Sequence, residues 1–289
     1  MDVHRATISI PDIDDVTRLY FISDTHLGEA GSHVEFLRRA VRYVAGDPRA
    51  AVITTGDLAG FIAPDDARFD PEAVAPGLEI SHMATWGDAM VEIVKDVMGP
   101  LKGRVICSLS GNHENVYAKK KNSRVNSAVA DSLGSKALGY CAFIILNFRD
   151  RTGRTAQLRI AATHGGSGAT TPGGKFNALM KFAEGFCGFD LFVYSHVHAC
   201  LDGWLPPRLG ERDGDIVEHE LPYGLVTGTT LRTYTKGVHS YGERKTYRPT
   251  HIGFPCLHLV PSSREMWTRW VMSRTLEGQP RYSGFVGAA

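Results

Sequence analysis

Seven side chains of the kinds that hold divalent cations occur in short blocks along the chain: Asp24, His26, Asp57, Asn112, His164, His196 and His198. The blocks read Asp-x-His, Gly-Asp, Gly-Asn-His-Glu, His-Gly and His-x-His, and most directly follow an apolar, strand-like run. Polar side chains at the carboxyl ends of strands can converge in space, because open α/β sheets bind their ligands there. Imidazole and oxygen donors without a thiolate suit Mn, Fe or Zn, with Mn the first choice. The chemistry on offer is that of a metal site.

Each block taken alone also has a structural reading. Asp24 and His26 share a face if they continue a strand, since residues i and i+2 do, but Asp24 is equally an N-cap with an incidental histidine. Gly56 lets the chain bend and presents Asp57 at a strand tip, where a carboxylate can bridge two cations; Gly-Asp is also a common turn. Gly111-Asn112-His113-Glu114 is sharper, packing an amide oxygen, an imidazole and a carboxylate into one turn. His164 and the pair His196 and His198 repeat the pattern. Five histidines at strand ends with three acceptor oxygens are hard to explain as structure.

The elements that must position these groups follow from periodicity. Apolar, β-branched runs at Thr17 to Ser23, Ala51 to Thr55, Arg104 to Leu109, Ala142 to Phe148, Gln157 to Thr163 and Asp190 to Ser195 predict strands. Val34, Leu37, Val41 and Val44 recur at helical spacing, and a second helix is expected from Glu79 to Met98, stopped by Gly99-Pro100. Further helices are expected over Ser123 to Leu133 and Lys175 to Phe186. The alternation argues for a layered α/β fold. After His198, short strands at Leu225 to Thr227, Leu231 to Thr235, His251 to Phe254 and Cys256 to Val260 are expected to complete the sheets. With no linker in the chain, residues 1–289 read as one domain, and the last eight or so residues as a fraying tail.

Composition narrows the classes. The chain has 289 residues, 43% hydrophobic and 22% charged, with a formal net charge of +1, as an ordinary globular protein would. That balance gives no global field favouring nucleic acid or an anionic membrane. The N-terminus has no apolar signal core and no run approaches a membrane span, so a cytoplasmic protein is expected. Five cysteines, odd in number and mostly in apolar runs, predict core thiols and no disulfide framework; Cys200, two residues after His198, reads as a small buried or partly buried residue more readily than as a soft ligand.

Taken together, the ordered motifs resemble the calcineurin-like metallophosphoesterase superfamily, over residues 24 to 198. The resemblance implies a two-sheet sandwich flanked by helices with two divalent metals at one edge. It assigns Asp24, His26, Asp57 and His198 to one metal and Asp57, Asn112, His164 and His196 to the other. Such a pair of ions clamps the attacking and leaving oxygens of a displacement at phosphorus. His113 is then the catalytic residue that stabilises charge or protonates the leaving oxygen, with Glu114 a candidate to orient it. One departure is visible: the usual Gly before His-x-His is Ser195, which would cost energy if that position needs positive φ.

The sequences Asp24-Thr25-His26-Leu27 and Gly56-Asp57-Leu58-Ala59 differ from the protein phosphatase branch and look closer to repair nucleases and small diesterases. Lys121 and Arg124, in a basic run after the Gly-Asn-His-Glu block, with Asn112 and Lys175, are candidate substrate contacts, and Tyr117 could stack on a base. The C-terminal stretch alternates Arg232, Lys236, Arg244, Lys245 and Arg248 with Tyr234, Tyr241 and Tyr247, and resembles the tail of phage or prophage phosphoesterases. The leading expectation is a metal-dependent phosphodiesterase acting on DNA or RNA. A hydrolase of a small ester such as a cyclic nucleotide is the alternative, and a non-catalytic metal-bound scaffold is the reading from another class.

Overall fold

The computed structural model describes residues 1–238 and 240–275; the tail expected to fray lies outside them. In chain order the elements are β1 (Asp2–Ser9), β2 (Thr17–Ile22), α1 (Val34–Gly46), β3 (Ala50–Thr55), α2 (Ile80–Ala84), α3 (Trp86–Met98), β4 (Val105–Leu109), α4 (Asn112–Lys121) and α5 (Val125–Ser132). Then come β5 (Lys136–Ala137), β6 (Cys141–Arg149), β7 (Thr155–Thr163), α6 (Pro172–Glu184), β8 (Leu191–Tyr194), β9 (Cys200–Trp204), β10 (Arg208–Arg212), β11 (Asp215–Glu220), β12 (Tyr223–Thr227), α7 (Tyr241–Arg244), β13 (Gly253–Val260) and β14 (Glu265–Met272).

Strand alternation builds two sheets that share a core. In β2, Leu19 and Phe21 point into the space between the sheets while Tyr20 and Ile22 point outward against helices. One sheet has the order β14-β13-β2-β3-β4-β5 and the other β1-β6-β7-β8-β12-β9. Leu19, Phe21 and Ile53 of the first meet Ile144, Leu146, Ile160, Leu191 and Leu225 of the second. Outside the first sheet, Phe36, Leu37, Val41 and Val44 of α1 and Met90, Val94 and Val97 of α3 cover Tyr20, Ile22 and Val52. Outside the second, Leu179 and Ala183 of α6 cover Ala161, Phe192 and Val226. This is the helix-flanked two-sheet sandwich that the motif order implied.

Several expectations need correction. The helix expected over Glu79 to Met98 breaks at Thr85 (φ −121°, ψ 40°). A new helix start at Trp86 frees the Gly87 N–H, which donates to Tyr117 Oη at 2.9 Å, while Trp86 Nε1 donates to Gly60 O at 3.0 Å. The two strands expected around Pro255 are one strand, β13; its pairing with β2 begins only at Cys256, so no bond to β2 is lost at the proline. Leu231 to Thr235 makes isolated bridges only, because its backbone serves neighbouring loops: Arg232 N donates to Gly31 O, and Thr235 O accepts from Val238 N. Strands β1, β5, β9 and β14, the β10–β11 hairpin and helix α4 have no counterpart among the expected elements. Of the five cysteines, Cys107 and Cys256 are buried but Cys187 is exposed. Among the described residues no helix is long and apolar enough to cross a membrane.

Candidate metal centre

Strands β2, β3 and β4 run parallel in one sheet, and β7 and β8 run parallel in the other. Their carboxyl ends therefore lie along one edge of the sandwich, and every block of donors emerges there. Asp24 and His26 follow β2, Asp57 follows β3, Asn112 opens α4 after β4, His164 follows β7, and His196 and His198 follow β8. Asp24 and His26 do not share a face by strand alternation. Asp24, His26, Asp57, His196 and His198 all have φ between 46° and 70°, a left-handed conformation that is uncommon outside glycine. Five of the seven candidate donors thus sit on strained backbone, as residues held in place for function often do.

One group of possible donors joins His26 to Glu29 and His113; apart from it, the donor atoms fall into two overlapping groups, Asp24 with His26 and His198, and Asp24 with Asp57, His164 and His196. The carboxylate common to both is Asp24, whereas the family pattern shares Asp57. His198 Nε2 lies 3.2 Å from Asp24 Oδ1 and 3.3 Å from His26 Nε2. His164 Nε2 lies 3.1 Å from Asp57 Oδ2 and 3.2 Å from Asn112 Oδ1. His164 Nδ1 donates to Thr55 O at 2.7 Å, which leaves Nε2 facing Asp57 and Asn112.

Cysteine takes no part. Among the described residues Cys200 joins none of the donor groups, and burial pushes its thiol up to about 12.

The scaffold around the donors is built by backbone and hydroxyl groups. Glu114, buried, accepts from Asp57 N, Leu58 N and Gly111 N at 2.9–3.0 Å, so it clamps the Gly-Asp turn and does not orient His113. Gly56 has φ +93°, and a Cβ there would lie 2.5 Å from Gly111 N and 2.7 Å from His164 Nδ1. Asp24 Oδ2 accepts from Ser23 Oγ at 2.7 Å and from His196 N at 3.1 Å, which turns Oδ1 toward the histidines. A buried run of hydroxyls backs Ser23. Its Oγ is 2.6 Å from Thr227 Oγ1, which donates to Ser195 Oγ at 2.9 Å; Ser195 Oγ is in turn 2.6 Å from Thr55 Oγ1.

Ser195 carries no left-handed strain; the positive φ falls on His196. The cost anticipated for a serine at this position is absent, and its hydroxyl helps to tie the two sheets together.

The electrostatics suit a cation. Asp24 Oδ1 and His196 Nδ1 are buried without a hydrogen-bond partner, an expensive state unless something else satisfies them. Burial opposes ionisation of Asp24, but His198 and His164 hold its carboxyl down at about 2; Asp57 is likewise held well below the usual range, burial being outweighed by His113 and His164. Burial lowers His164 and His26, yet the facing carboxylates raise them to about 10 and about 9. Burial and Asp57 push Glu114 up to about 7. Mixed nitrogen and oxygen donors with no thiolate fit Mn, Fe or Zn.

The candidate substrate contacts are placed unevenly. His113 stands beside the donors, its N–H donating to Asp57 Oδ1 at 2.9 Å and its Nε2 4.0 Å from Asp57 Oδ2. Lys121 lies at the other end of α4, about 13 Å along the axis from Asn112, and pairs with Asp65 at 2.6 Å. Arg124 is exposed just before α5, and Lys175 is half-buried in the first turn of α6, where burial lowers its ammonium. Tyr117 does not offer a stacking face: its ring packs on Phe61 and its hydroxyl holds the start of α3. Glu29, whose Oε1 lies 3.0 Å from His26 Nδ1, was missed. Its only sequence signal is a carboxylate three residues after a histidine.

No family model matches the chain, and no curated protein matches it. Solved structures similar to it include Vps29 of Entamoeba histolytica complexed with Zn2+, 14% identical over 88% of this chain and 93% of that one, with a TM-score of 0.40. A calcineurin-like phosphoesterase, YfkN of Bacillus subtilis, is 9% identical over 90% and 91%, TM-score 0.42. A metallophosphoesterase of Sphaerobacter thermophilus is 15% identical over 88% of each chain, TM-score 0.39. In its motifs the chain resembles the calcineurin-like phosphoesterases.

Proposed function

We propose that the protein is a metal-dependent phosphodiesterase that cleaves DNA or RNA with a pair of divalent cations, Mn in the first instance. The observation that carries this reading is the meeting of Asp24, His26, Asp57, Asn112, His164, His196 and His198 at one sheet edge, with Asp24 Oδ1 buried against His198 and in no hydrogen bond. His26 and His198 would hold one ion and Asn112, His164 and His196 the other, with Asp24 and Asp57 between them. When bound, the ions supply Lewis acidity and lower the pKa of water for attack on phosphorus.

The chain's own groups supply the rest. His113, beside Asp57 and grouped with His26 and Glu29 rather than with Asp24, faces the transferring phosphoryl group and protonates the departing oxygen. Support for a nucleic-acid substrate comes from the segment after β12. Thr229 Oγ1 donates to Asp24 O at 2.7 Å and Thr230 N does so at 3.2 Å. The same segment goes on to exposed Tyr234 and Tyr247 (47% and 44%), with Lys236, Lys245 and Arg248 exposed one or two positions from them in sequence. Aromatic faces among basic side chains suit single strands.

The test is to incubate Mn-loaded protein with labelled single- and double-stranded oligonucleotides and with bis-nitrophenyl phosphate, using Asp57→Asn as control. Oligonucleotide cleavage lost in the variant supports the proposal. Intact oligonucleotides beside hydrolysed bis-nitrophenyl phosphate would move the substrate to a small ester, and no turnover of either would overturn the enzymatic reading.

A further inference from the structure

The turn after His26 folds back on itself, with Glu29 N donating to His26 O at 3.0 Å. This returns the Glu29 side chain beneath the His26 ring, where Oε1 accepts from Nδ1 at 3.0 Å. The other nitrogen of that ring, Nε2, faces His198 and Asp24. The same Glu29 Oε1 lies 3.6 Å from His113 Nδ1, a buried nitrogen with no hydrogen-bond partner. The two imidazoles meet edge to face, centroids 4.7 Å apart. One carboxylate oxygen thus lies between a candidate metal donor and the candidate acid.

The surroundings are shaped for that carboxylate. A Cβ on Gly60 would lie 2.7 Å from Glu29 Cγ and 3.0 Å from Oε1. Gly60 is itself fixed by its N–H to Leu27 O at 2.8 Å. On the other side Glu29 bridges to Val74, and Ala30 N donates to Ala73 O.

We propose that Glu29 is a positioning residue that acts on both histidines, fixing His26 for its metal and holding His113 with Nδ1–H toward the carboxylate and Nε2 toward the substrate. What a histidine's second nitrogen donates to decides which nitrogen is left for the metal or the substrate, and how basic it is. The proposal rests on the phosphodiesterase reading for His113, and on geometry alone for His26.

The experiment uses the full chain as wild type, Glu29→Gln, His113→Asn and the double variant, with bis-nitrophenyl phosphate at saturating Mn and, separately, Mn titrations by calorimetry. Glu29→Gln is expected to lower kcat about 10- to 100-fold with KM little changed, and to weaken Mn binding about tenfold with the number of ions unchanged. In the His113→Asn background the same change is expected to cost less than about threefold in kcat, because groups acting as a unit are not additive. An undiminished cost in that background, or native kcat and Mn affinity in Glu29→Gln, would overturn the proposal. If the wild type hydrolyses no diester, the functional reading fails, and the Mn titration still decides the His26 half. Should Glu29→Gln not fold, Gly60→Ala displaces the carboxylate without removing it and is expected to show the same losses; native kinetics and Mn affinity there would sink the idea.

Discussion

A methyl group on Gly111 would collide with Asp57 Oδ1 and N, at the point where Asp57 also receives the His113 amide and where Glu114 clamps the turn. Gly111→Ala is therefore expected to cost about 1–3 kcal/mol of stability by overpacking and to remove most Mn binding; calorimetry and denaturant melts check both, and native Mn affinity would contradict the close approach. Ser195 makes the opposite case. Its hydroxyl meets Thr55 and Thr227 in a buried site, so Ser195→Gly, which restores the family residue, is expected to destabilise by about 1–2 kcal/mol because partners lose a buried hydrogen bond. A gain in urea midpoint would refute this. The donors are legible in sequence because each follows an apolar run and the types repeat. Glu29 and the hydroxyls of Ser23, Thr55 and Thr227 are not, since one acid in a turn and isolated Ser or Thr residues carry no period. What selects them is contact across loops, as when Glu29 meets His113, 84 positions along the chain.

Among elements, the strands β2, β3, β4, β6, β7 and β8 are legible from their apolar runs, and all of them but β6 carry donors at their ends. Edge strands are not: β1 alternates exposed and half-buried residues on one flank of its sheet, and β14 is buried mainly at its ends. Pro255 hides the continuity of β13 because the local rule against proline in strands holds only where its N–H is needed. Within β13, His258 stacks on Trp267 of β14, centroids 5.3 Å apart. Burial, with help from Arg269 and Arg18, pulls its imidazole down to about 4. A histidine depressed in the folded state gives stability that is full above its unfolded pKa of about 6.5 and is lost as pH falls toward 4. By pH 5 the loss is expected to reach about 1–2 kcal/mol, reduced by solvent at the open edge of the ring. Thermal melts at pH 7 and pH 5 check it: the gap between them should narrow in His258→Gln, and an unchanged gap would move the acid sensitivity elsewhere.

For the molecule as a whole, the sandwich brings two carboxylates and four imidazoles to one edge, and without a cation the imidazoles must supply the countercharge. His26 and His164, raised to about 9 and about 10, are both protonated at neutral pH in the metal-free protein. Their contribution to stability is fully present below an unfolded pKa of about 6.5 and is lost as pH climbs through 9 and 10, so the metal-free protein is expected to melt lower at pH 10 than at pH 7. A cation needs the lone pairs those protons occupy, so binding must expel them. Mn binding at pH 7 should release protons, seen as a calorimetric enthalpy that changes with the ionisation enthalpy of the buffer. Mn at about 100 times its Kd is also expected to stabilise the fold by about 2.7 kcal/mol, which raises Tm by roughly 4–5 °C for a chain of this size. A chelator should reverse that rise. Buffer-independent enthalpy with a full rise in Tm would mean that the imidazoles are already neutral and that the carboxylates alone attract the ion.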